Sequence, residues 1–344
     1  MNIFATMRSV RRICSMLIGF VFFIAGILKL MDPTGAGLII SEYFKFLHLG
    51  FLSFSSYFTA AAFSLMETIT GIALITGIWR RLTAIVSGIM LGFFTLLTLV
   101  LLVCNPQMEC GCFGEAIHLT HSQSFIKNII LCVLWAVAFI PIRKVENRKI
   151  KYVSFSLASI SCILFLLYSI YYIPLIDFTP FAPGEELAQL DEEFQEDAPV
   201  LSFSDKCGVY ADSLAVEGKV FVSSVYNPAG ASSRHWARIA QSFRTAEKEG
   251  YRPILLIAST PDDVGIGIPD PILLDNAYFA DRRTLMTLNR SNGGFTTISD
   301  GCIIRKWSVN AGISDEDIYK DQDNSQFLKL EGFLLYVFSV MLLL

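Results

Sequence analysis

The sequence predicts an α-helical transmembrane bundle followed by an extracytoplasmic domain of alternating strands and helices. The chain of 344 residues is 53% hydrophobic but only 17% charged, whereas soluble domains carry about 25% charged residues. Long apolar runs fill the first half, and strand-like and helix-like patterns alternate in the second. The charge is divided in the same way. Residues 1–178 have a net charge of +6 (13 Lys/Arg minus 7 Asp/Glu), and residues 179–344 one of −10 (14 minus 24).

Five segments are long enough to cross a bilayer as helices. A span needs about 20 mostly apolar residues to cover a hydrocarbon core of about 30 Å. The segments that qualify are residues 13–31, 57–79, 82–104, 125–142 and 152–173. The first is expected to remain uncleaved, because its apolar run exceeds the usual signal-peptide core. We therefore predict a four-span membrane domain over residues 1–150 and a fifth transmembrane helix over residues 151–176.

Positive charges in the short loops set the expected orientation. One set of flanks carries ten of them: Arg8, Arg11, Arg12, Arg80, Arg81, Arg143, Lys144, Arg148, Lys149 and Lys151. The alternate flanks carry three, which are Lys29, Lys45 and Lys127. This alternation predicts a cytoplasmic N-terminus, with everything after Ile173 on the outer side of the membrane.

The region after the spans is predicted to contain a linker and a folded domain. The linker covers residues 177–199, is acidic and rich in proline, and includes a short helix at 185–194. The domain covers residues 200–322 and resembles the thioredoxin fold. Its predicted elements are strands at 218–226 and 253–258 around a helix at 232–249, a short strand at 272–274, a helix at 278–288, and a hairpin of 294–299 with 302–309.

Two departures from thioredoxin bear on the function of this domain. The turn between its first strand and first helix is Asn227-Pro-Ala-Gly230, without the Cys-x-x-Cys motif, and Gly293 occupies the neighbourhood where such domains place a proline. We therefore expect a docking or structural role. The apolar tail at 331–344 is expected to be too short to cross alone, because its 12 apolar residues from Phe333 to Leu344 rise only about 18 Å as a helix. It is expected to be half-inserted from the outer face or packed on the bundle.

Cys110 and Cys112, in the loop after the third span, are the principal candidate site. The predicted orientation puts this loop outside the cytoplasm, where disulfides persist. Gly111 and Gly114 give the backbone freedom to fold tightly. A bridge between residues two apart is geometrically tight, and strained exposed bridges are more oxidising. The pair therefore suits thiol–disulfide exchange, with Cys104 as a possible resolving partner.

Other roles for cysteine remain open. The pair is alternatively a structural tie, or part of a zinc site with His118 and His121, although these spacings are not a usual zinc set and no metal site is predicted. Cys207 and Cys302 are candidates for a disulfide within the exported domain.

Glu67 lies near the expected midplane of the second span. Intramembrane carboxylates are costly and usually face the bundle interior with a partner. Lys29, toward the outer end of the first span, is the nearest counter-charge by depth. Two interpretations of Glu67 are open. It is either a proton-binding or ligand-binding site, or one member of an ion pair that fixes helix packing.

Three stretches resemble the DoxX-like membrane proteins, and within them the methylamine-utilisation protein MauE. They are Gly-Ile-Leu-Lys-Leu-Met-Asp-Pro at 26–33, the segment 67–80 that begins with Glu67, and Cys-Gly-Cys-Phe-Gly at 110–114. The resemblance covers residues 10–145, and its combination with an exported thioredoxin-like domain resembles DoxX-family proteins of Bacteroidetes-type bacteria. It implies a bacterial inner-membrane protein. For MauE it implies assistance in maturing a periplasmic, disulfide-rich dehydrogenase subunit.

Three functions are compatible with these observations. The first is a thiol–disulfide redox or maturation factor that acts on an exported thiol-containing client, with electrons leaving to a membrane acceptor such as a quinone, for which no cofactor motif is present. The second is a non-catalytic assembly or scaffold protein with a structural disulfide and a client-docking domain. The third is a small-solute or proton conduit that uses Glu67. The lipid bilayer is the other expected partner, and a net charge of only −4 gives no case for nucleic acid.

Overall fold

The chain folds into two compact units, each with its own core. The computed structural model describes residues 3–108, 110–140, 149–188, 199–259, 268–311 and 325–344. The first unit comprises residues 1–169 together with 333–344, and the second comprises residues 170–332.

The first unit is a helical bundle. Its helices are α1 (Ile3–Met31), α2 (Pro33–Phe46), α3 (Ser56–Thr76), α4 (Arg80–Cys104), α5 (His121–Phe139) and α6 (Lys149–Tyr171), with a 3₁₀ turn at Gly50–Ser55 and a short strand β1 at Cys112–Glu115. Five of the helices, α1 and α3 to α6, are long and apolar enough to cross a membrane. The five predicted spans are thus confirmed as candidate membrane-spanning helices.

Helix α2 is an addition to the predicted spans. The side chain of Asp32 accepts a hydrogen bond from the Gly35 amide at 2.9 Å, and Pro33 occupies the first helical turn, where a proline costs no hydrogen bond. With 14 residues, α2 is too short to cross a bilayer. It packs against α3.

Helices α1 and α3 approach each other closely because glycines face the contact. A Cβ on Gly26 would lie 2.2 Å from Thr68 Oγ1, and one on Gly71 would lie 2.5 Å from the backbone nitrogen of Phe23. Small residues of this kind let membrane helices pack backbone against backbone. The contact also brings the last turns of α1 alongside the middle of α3.

Basic side chains bind helix carbonyls at one end of the bundle, here called the basic end. Arg12 and Lys151 donate hydrogen bonds to carbonyls in the last turn of α3, and Arg80 donates to Ala138 O in the last turn of α5 at 2.6 Å. Cations are favoured there because helix C-termini carry partial negative charge. Three further predicted flank charges, Arg143, Lys144 and Arg148, lie outside the described residues.

The C-terminal tail forms a longer helix than predicted. Helix α11 covers Ser325–Leu343, and from Phe333 onward it belongs to the first unit. The ring of Tyr336 stacks 5.0 Å from that of Phe165 on α6, and Ser161 Oγ donates to the Tyr336 hydroxyl at 3.1 Å. Of the two placements expected for the tail, packing on the bundle is the one observed.

The second unit contains a five-stranded mixed sheet in the order β4-β3-β2-β5-β6. Its strands are β2 (Lys219–Val225), β3 (Arg252–Ile257), β4 (Ala277–Phe279), β5 (Gly294–Ser299) and β6 (Cys302–Trp307), and its helices are α7 (Ser213–Val216), α8 (Ser233–Lys248), α9 (Pro271–Asp275) and α10 (Arg282–Leu288). Strands β2, β3 and β4 are parallel, and β5 and β6 pair antiparallel to the rest.

Strand β2 is covered on both faces. Phe221 packs in the core cluster that includes Phe243 of α8. Val220 and Val222 pack in the cluster that includes Leu285 of α10. Burial on both faces explains why this strand reads as a continuous apolar run rather than an alternating one.

Two predicted elements after β3 are wrong. Residues 272–274 are part of helix α9 instead of a strand, because Asp270 caps the helix and Pro271 occupies its first turn. The third parallel strand is β4, so the predicted helix over 278–288 starts too early. Helix α10 begins after Asp281, whose side chain caps it.

The predicted linker is ordered where it is described. Residues 185–188 are not helical, and Glu186 forms an isolated antiparallel bridge with Cys302, so the predicted helix is wrong at its start. The rest of it lies outside the described residues, as do residues 312–322 of the predicted domain. Asp177 lies 2.7 Å from Lys306 Nζ on β6, and this ion pair ties the beginning of the segment to the sheet.

Gly26→Ala is expected to destabilise the bundle, because the added methyl group meets Thr68. Overpacking of this kind costs about 1–3 kcal/mol. Thermal unfolding in detergent should show a lower midpoint than for the wild type. The matched control is Gly92→Ala on α4, where a Cβ meets nothing within 4 Å. Equal midpoints for the two variants would contradict the close approach of α1 and α3.

Asp177→Asn is expected to destabilise the second unit at neutral pH. Burial acts to raise the pKa of Asp177, but the charge and hydrogen bond of Lys306 outweigh it and hold the pKa below its ordinary value. A carboxylate with a lowered pKa stabilises the fold above its unfolded-state pKa, and that contribution is lost as the pH falls through the folded-state pKa. Removing one partner of a buried pair costs about 3 kcal/mol.

Hydrogen exchange of β2 and β3 measures this loss. Protection should fall in Asp177→Asn at pH 7, and the difference from the wild type should shrink below about pH 4. Arg244→Gln is the control, since its partner is Asp270 and its side chain is 55% exposed. Exposed pairs contribute at most about 1 kcal/mol. Equal protection in Asp177→Asn and the wild type at pH 7 would show that the pair is dispensable.

Candidate functional site

The loop that carries the cysteine pair (Cys110 and Cys112) is fixed at both ends. Helix α4 ends at Cys104 and is capped by Asn105. Asn105 has a φ of +43° and donates its amide to Leu101 O at 2.8 Å. Helix α5 starts after Thr120, which forms a capping box with Gln123.

The loop is pressed against α2. Gly111 has a φ of +60°, and a Cβ there would lie 2.5 Å from Ile39 Cγ2. The hydroxyl of Tyr43 donates to the backbone carbonyl of Cys110. Gly111 is therefore required by both its backbone conformation and the space available. Gly114 also has a positive φ, of +65°, and lies against Lys29.

The two sulfur atoms of the pair are within reach of each other. Cys110 Sγ and Cys112 Sγ are 3.1 Å apart, and both thiols are free. A disulfide bond is about 2.05 Å long, so closing one requires an approach of about 1 Å. Cys110 is buried against Ile39 and Leu101, whereas Cys112 is half-buried.

The two thiols differ in acidity. The hydrogen bond with Cys112, together with burial, raises the pKa of Cys110 above its usual range. The same hydrogen bond, together with the charges of Lys127 and Lys29, lowers the pKa of Cys112 to about 5 against the effect of burial. At neutral pH Cys112 is therefore the thiolate, which is the nucleophilic form of cysteine.

Lys127 is the cation that stabilises this thiolate most. It projects from the second turn of α5, hydrogen bonds to Cys112, and lies 4.9 Å from the ring centroid of Phe113. The cation–π contact restrains its ammonium group beside the loop.

Lys29 and Glu67 form an ion pair beneath the loop. Lys29 Nζ is 2.6 Å from Glu67 Oε2, and the two side chains are 13% and 8% exposed. The ammonium group also lies 5.8 Å from the ring centroid of Phe94. The contact predicted from depth in the membrane is thus present. It satisfies both charges in an apolar environment.

A cavity of about 160 Å³ lies between the ion pair and the cysteine pair. Five helices, α1 to α5, line it together with the loop, and Lys127 and both members of each pair contribute to its wall. Most of the remaining wall is apolar or aromatic, with Ile39, Tyr43, Ala60, Phe63, Phe93 and Phe94 among its residues.

The cavity opens on the outer surface of the bundle. Phe63 of α3 and Phe93 of α4 both line it, and their rings stack with centroids 6.0 Å apart. They are nevertheless 36% and 49% exposed. Because these two lining residues are also exposed, we infer that the opening lies between the two candidate membrane-spanning helices that carry them, on the surface expected to face lipid.

Several predicted residues lie elsewhere. Cys104 is exposed at the end of α4 and is not among the described residues that line the cavity. His121 Nε2 lies 3.1 Å from Pro106 O, and within the described ranges no three His, Cys, Asp or Glu side chains are grouped as metal ligands. The alternative zinc set with His118 is therefore not assembled. Cys207 and Cys302 are both free.

Three contributors to the site do not follow from the sequence. Tyr43 lies on the unpredicted α2. Lys127 is identifiable in the sequence only as a loop charge. Asn128 Nδ2 donates to Thr98 Oγ1 at 3.1 Å in the cavity wall. For Tyr43 the sequence contains one local signal, which is Asp-Pro at 32–33. This dipeptide is typical of a helix start and could have predicted α2.

Comparison with known families matches this part of the chain. Residues 7–141 match the family model of the methylamine utilisation protein MauE. This segment is MauE-like. The match spans α1 to α5, the cysteine pair and the Lys29–Glu67 ion pair, and covers less than half of the 344 residues. Neither the curated proteins nor the solved structures gave a match.

The site therefore lies wholly within the MauE-like segment. The five apolar helices and this match together indicate a multi-pass membrane protein. Helix α6 and the mixed sheet lie outside the match.

Lys127→Met is expected to raise the pKa of Cys112, because it removes the cation with the larger effect on this thiol. In the wild type, the alkylation rate of Cys112 should stay high down to about pH 5 and fall below it, following the thiolate. In Lys127→Met the midpoint should move upward by at least about one pH unit. Mass spectrometry of iodoacetamide-labelled peptides measures the rate.

Lys127→Arg is the matched control and should keep the midpoint near that of the wild type. A midpoint that does not move in Lys127→Met would show that the hydrogen bond from Cys110 sets the acidity of Cys112 without help from Lys127.

Proposed function

We propose that this protein is a membrane thiol–disulfide exchange factor that oxidises exported thiol-containing clients through Cys110 and Cys112. The observation that carries the proposal is the arrangement of the pair. The two sulfur atoms lie 3.1 Å apart, and their mutual hydrogen bond, together with Lys127 and Lys29, lowers the pKa of Cys112, whereas the pKa of Cys110 is raised. A structural tie has no need of such asymmetry, whereas exchange needs one nucleophilic and one resolving sulfur.

Exchange with the client conserves electrons and protons. A client thiolate attacks Cys112 Sγ in the oxidised pair, and Cys110 Sγ leaves and takes up a proton. A second client thiolate then attacks the client sulfur of this mixed disulfide and releases the Cys112 thiolate. The client loses two electrons and gains a disulfide, and the pair becomes a dithiol. Cys112 is assigned the exchanging role because it is the less buried of the two.

We place the pair on the extracytoplasmic side of a bacterial inner membrane, with a cytoplasmic N-terminus. The support is the charge pattern, because positively charged loops stay in the cytoplasm. Arg12, Arg80 and Lys151 share the basic end. The cysteine loop follows α4, whose first residue is at the basic end, so the loop lies at the opposite end of that helix.

We further propose that the second unit is a thioredoxin-like docking domain. Parallel β2 and β3 joined through α8, followed by the antiparallel β5 and β6, support the likeness. The turn at Asn227 is closed by hydrogen bonds of 2.9 Å in both directions with Asn292. The absence of cysteine from this turn favours client docking over chemistry, and it is the observation that keeps a scaffold role as the second candidate function.

Cys110→Ala is expected to accumulate a mixed disulfide between Cys112 and its client. In this variant the Cys112 thiolate attacks a client disulfide, which is the reverse of the exchange, and one client sulfur leaves as a thiolate. Cys110 is then missing to displace the client from Cys112. The adduct should appear on non-reducing gels of cells that carry this variant, should vanish on reduction, and should be absent from Cys110→Ala/Cys112→Ala. Mass spectrometry of the adduct identifies the client.

Cys104→Ala combined with Cys110→Ala is the control, and it should retain the adduct because Cys104 lies outside the cavity wall. The scaffold role predicts lower protein levels in the single-cysteine variants and no adduct. If Cys110→Ala is present at the normal protein level and forms no mixed disulfide, exchange through Cys112 is excluded.

A further inference from the structure

The reduced cysteine pair must pass its electrons on, and the cavity lies where an acceptor would receive them. Cys110 and Cys112 both line the cavity, so a ligand inside it lies beside the cysteine pair. This inference rests on the proposed exchange function, because only exchange leaves the pair reduced. The acceptor has to take two electrons for each disulfide that is formed.

The dimensions of the cavity limit the acceptor to a single ring or a slightly larger group. The volume is about 160 Å³, and an apolar cavity of about 150 Å³ holds one benzene molecule. A flavin, with three fused rings, or a haem exceeds this space. The aromatic wall suits a planar ring, since Phe63, Phe93 and Phe94 stand along one side of it.

The opening faces the solvent in which such an acceptor dissolves. Phe63 and Phe93 lie at the lipid-facing surface between α3 and α4. A ligand with a ring and an isoprenoid chain enters there, with its chain left among the lipids.

The polar groups of the cavity complement an acceptor whose oxygens become charged on reduction. Lys29 and Lys127 both line the cavity, and Glu67 at 2.6 Å holds the Lys29 ammonium in place. Fixed cations in a low-dielectric site stabilise developing negative charge without reorganisation.

We propose that the cavity binds the ring of a membrane quinone, which reoxidises the cysteine pair. The Cys112 thiolate adds to the quinone ring, and the adduct takes up a proton. Cys110 gives up its proton and attacks Cys112 Sγ. The S–S bond forms, the carbon–sulfur bond breaks, and its electron pair remains on the ring. In sum, the thiol–thiolate pair loses two electrons and the proton of Cys110. The quinone gains the two electrons, this proton and one proton taken up from water to become a quinol.

Quinone binding is tested on the full-length protein in lipid nanodiscs with the cysteine pair oxidised. The oxidised pair cannot reduce the probe, so binding is measured without electron transfer. The probes are ubiquinone-1 and menadione, titrated by calorimetry. We expect saturable binding of at least one probe at one site. Ala60→Phe, which fills the cavity, should weaken it by about tenfold or more. Ala62→Phe on the exposed face of the same helix is the matched control and should bind as the wild type does. Thermal unfolding verifies that both variants are folded.

Electron transfer is tested by adding the probe that binds to the reduced protein. One quinol should form for each pair of thiols lost, and Cys112→Ser should form none. Absence of saturable binding to the folded wild type, equal binding by Ala60→Phe and Ala62→Phe, or binding without quinol formation would each overturn the inference.

The Cys110→Ala experiment, which tests for a mixed disulfide with the client, separates this inference from the proposed function. If Cys110→Ala captures a client but no quinone binds, exchange stands and the acceptor is wrong. If quinone binds but no client is captured and no thiols are consumed, exchange itself is wrong.

Discussion

The ion pair between Lys29 and Glu67 is the constraint on which the membrane unit depends. Two opposite charges in an apolar bundle are tolerable only in contact, and at 2.6 Å they satisfy each other. Removing either partner leaves an uncompensated buried charge, which is strongly destabilising. The pair therefore fixes the depth of α1 against α3, and the glycine contact at Gly26 and Gly71 fixes their separation. Lys29 is thereby held where its charge acts on Cys112.

The fold gives Cys110 and Cys112 different acidities, although the two residues are separated by only one glycine in the sequence. Cys110 is packed under α2 and keeps its proton, whereas Cys112 faces Lys127 and loses it. Helix α2, which is too short to span the membrane, contributes to this difference by burying Cys110 against Ile39 and Tyr43. The same helix supplies one wall of the cavity, so the reactivity of the pair and its access to a ligand have a common structural origin.

The second unit is stabilised by a different set of contacts. Its sheet is buried on both faces, an ion pair joins Asp177 to Lys306 of strand β6, and amide hydrogen bonds close the turn at Asn227. In the proposed scheme, redox chemistry resides in the MauE-like bundle and client recognition in this unit.

The sequence alone determined the five candidate spans, the strands β2, β3, β5 and β6, and the cysteine pair, because hydropathy, strand runs and motif spacing are local. Even the partner of Glu67 followed from depth along two helices. Tertiary structure decided the rest. Residues 272–274 were expected to form a strand but belong to helix α9, because Asp270 caps that helix. Residues 278 and 279 were expected to be helical but belong to strand β4, because they pair with β3. The cavity, and the role of Lys127 in it, arise from contacts among five helices far apart in sequence, which no local pattern encodes.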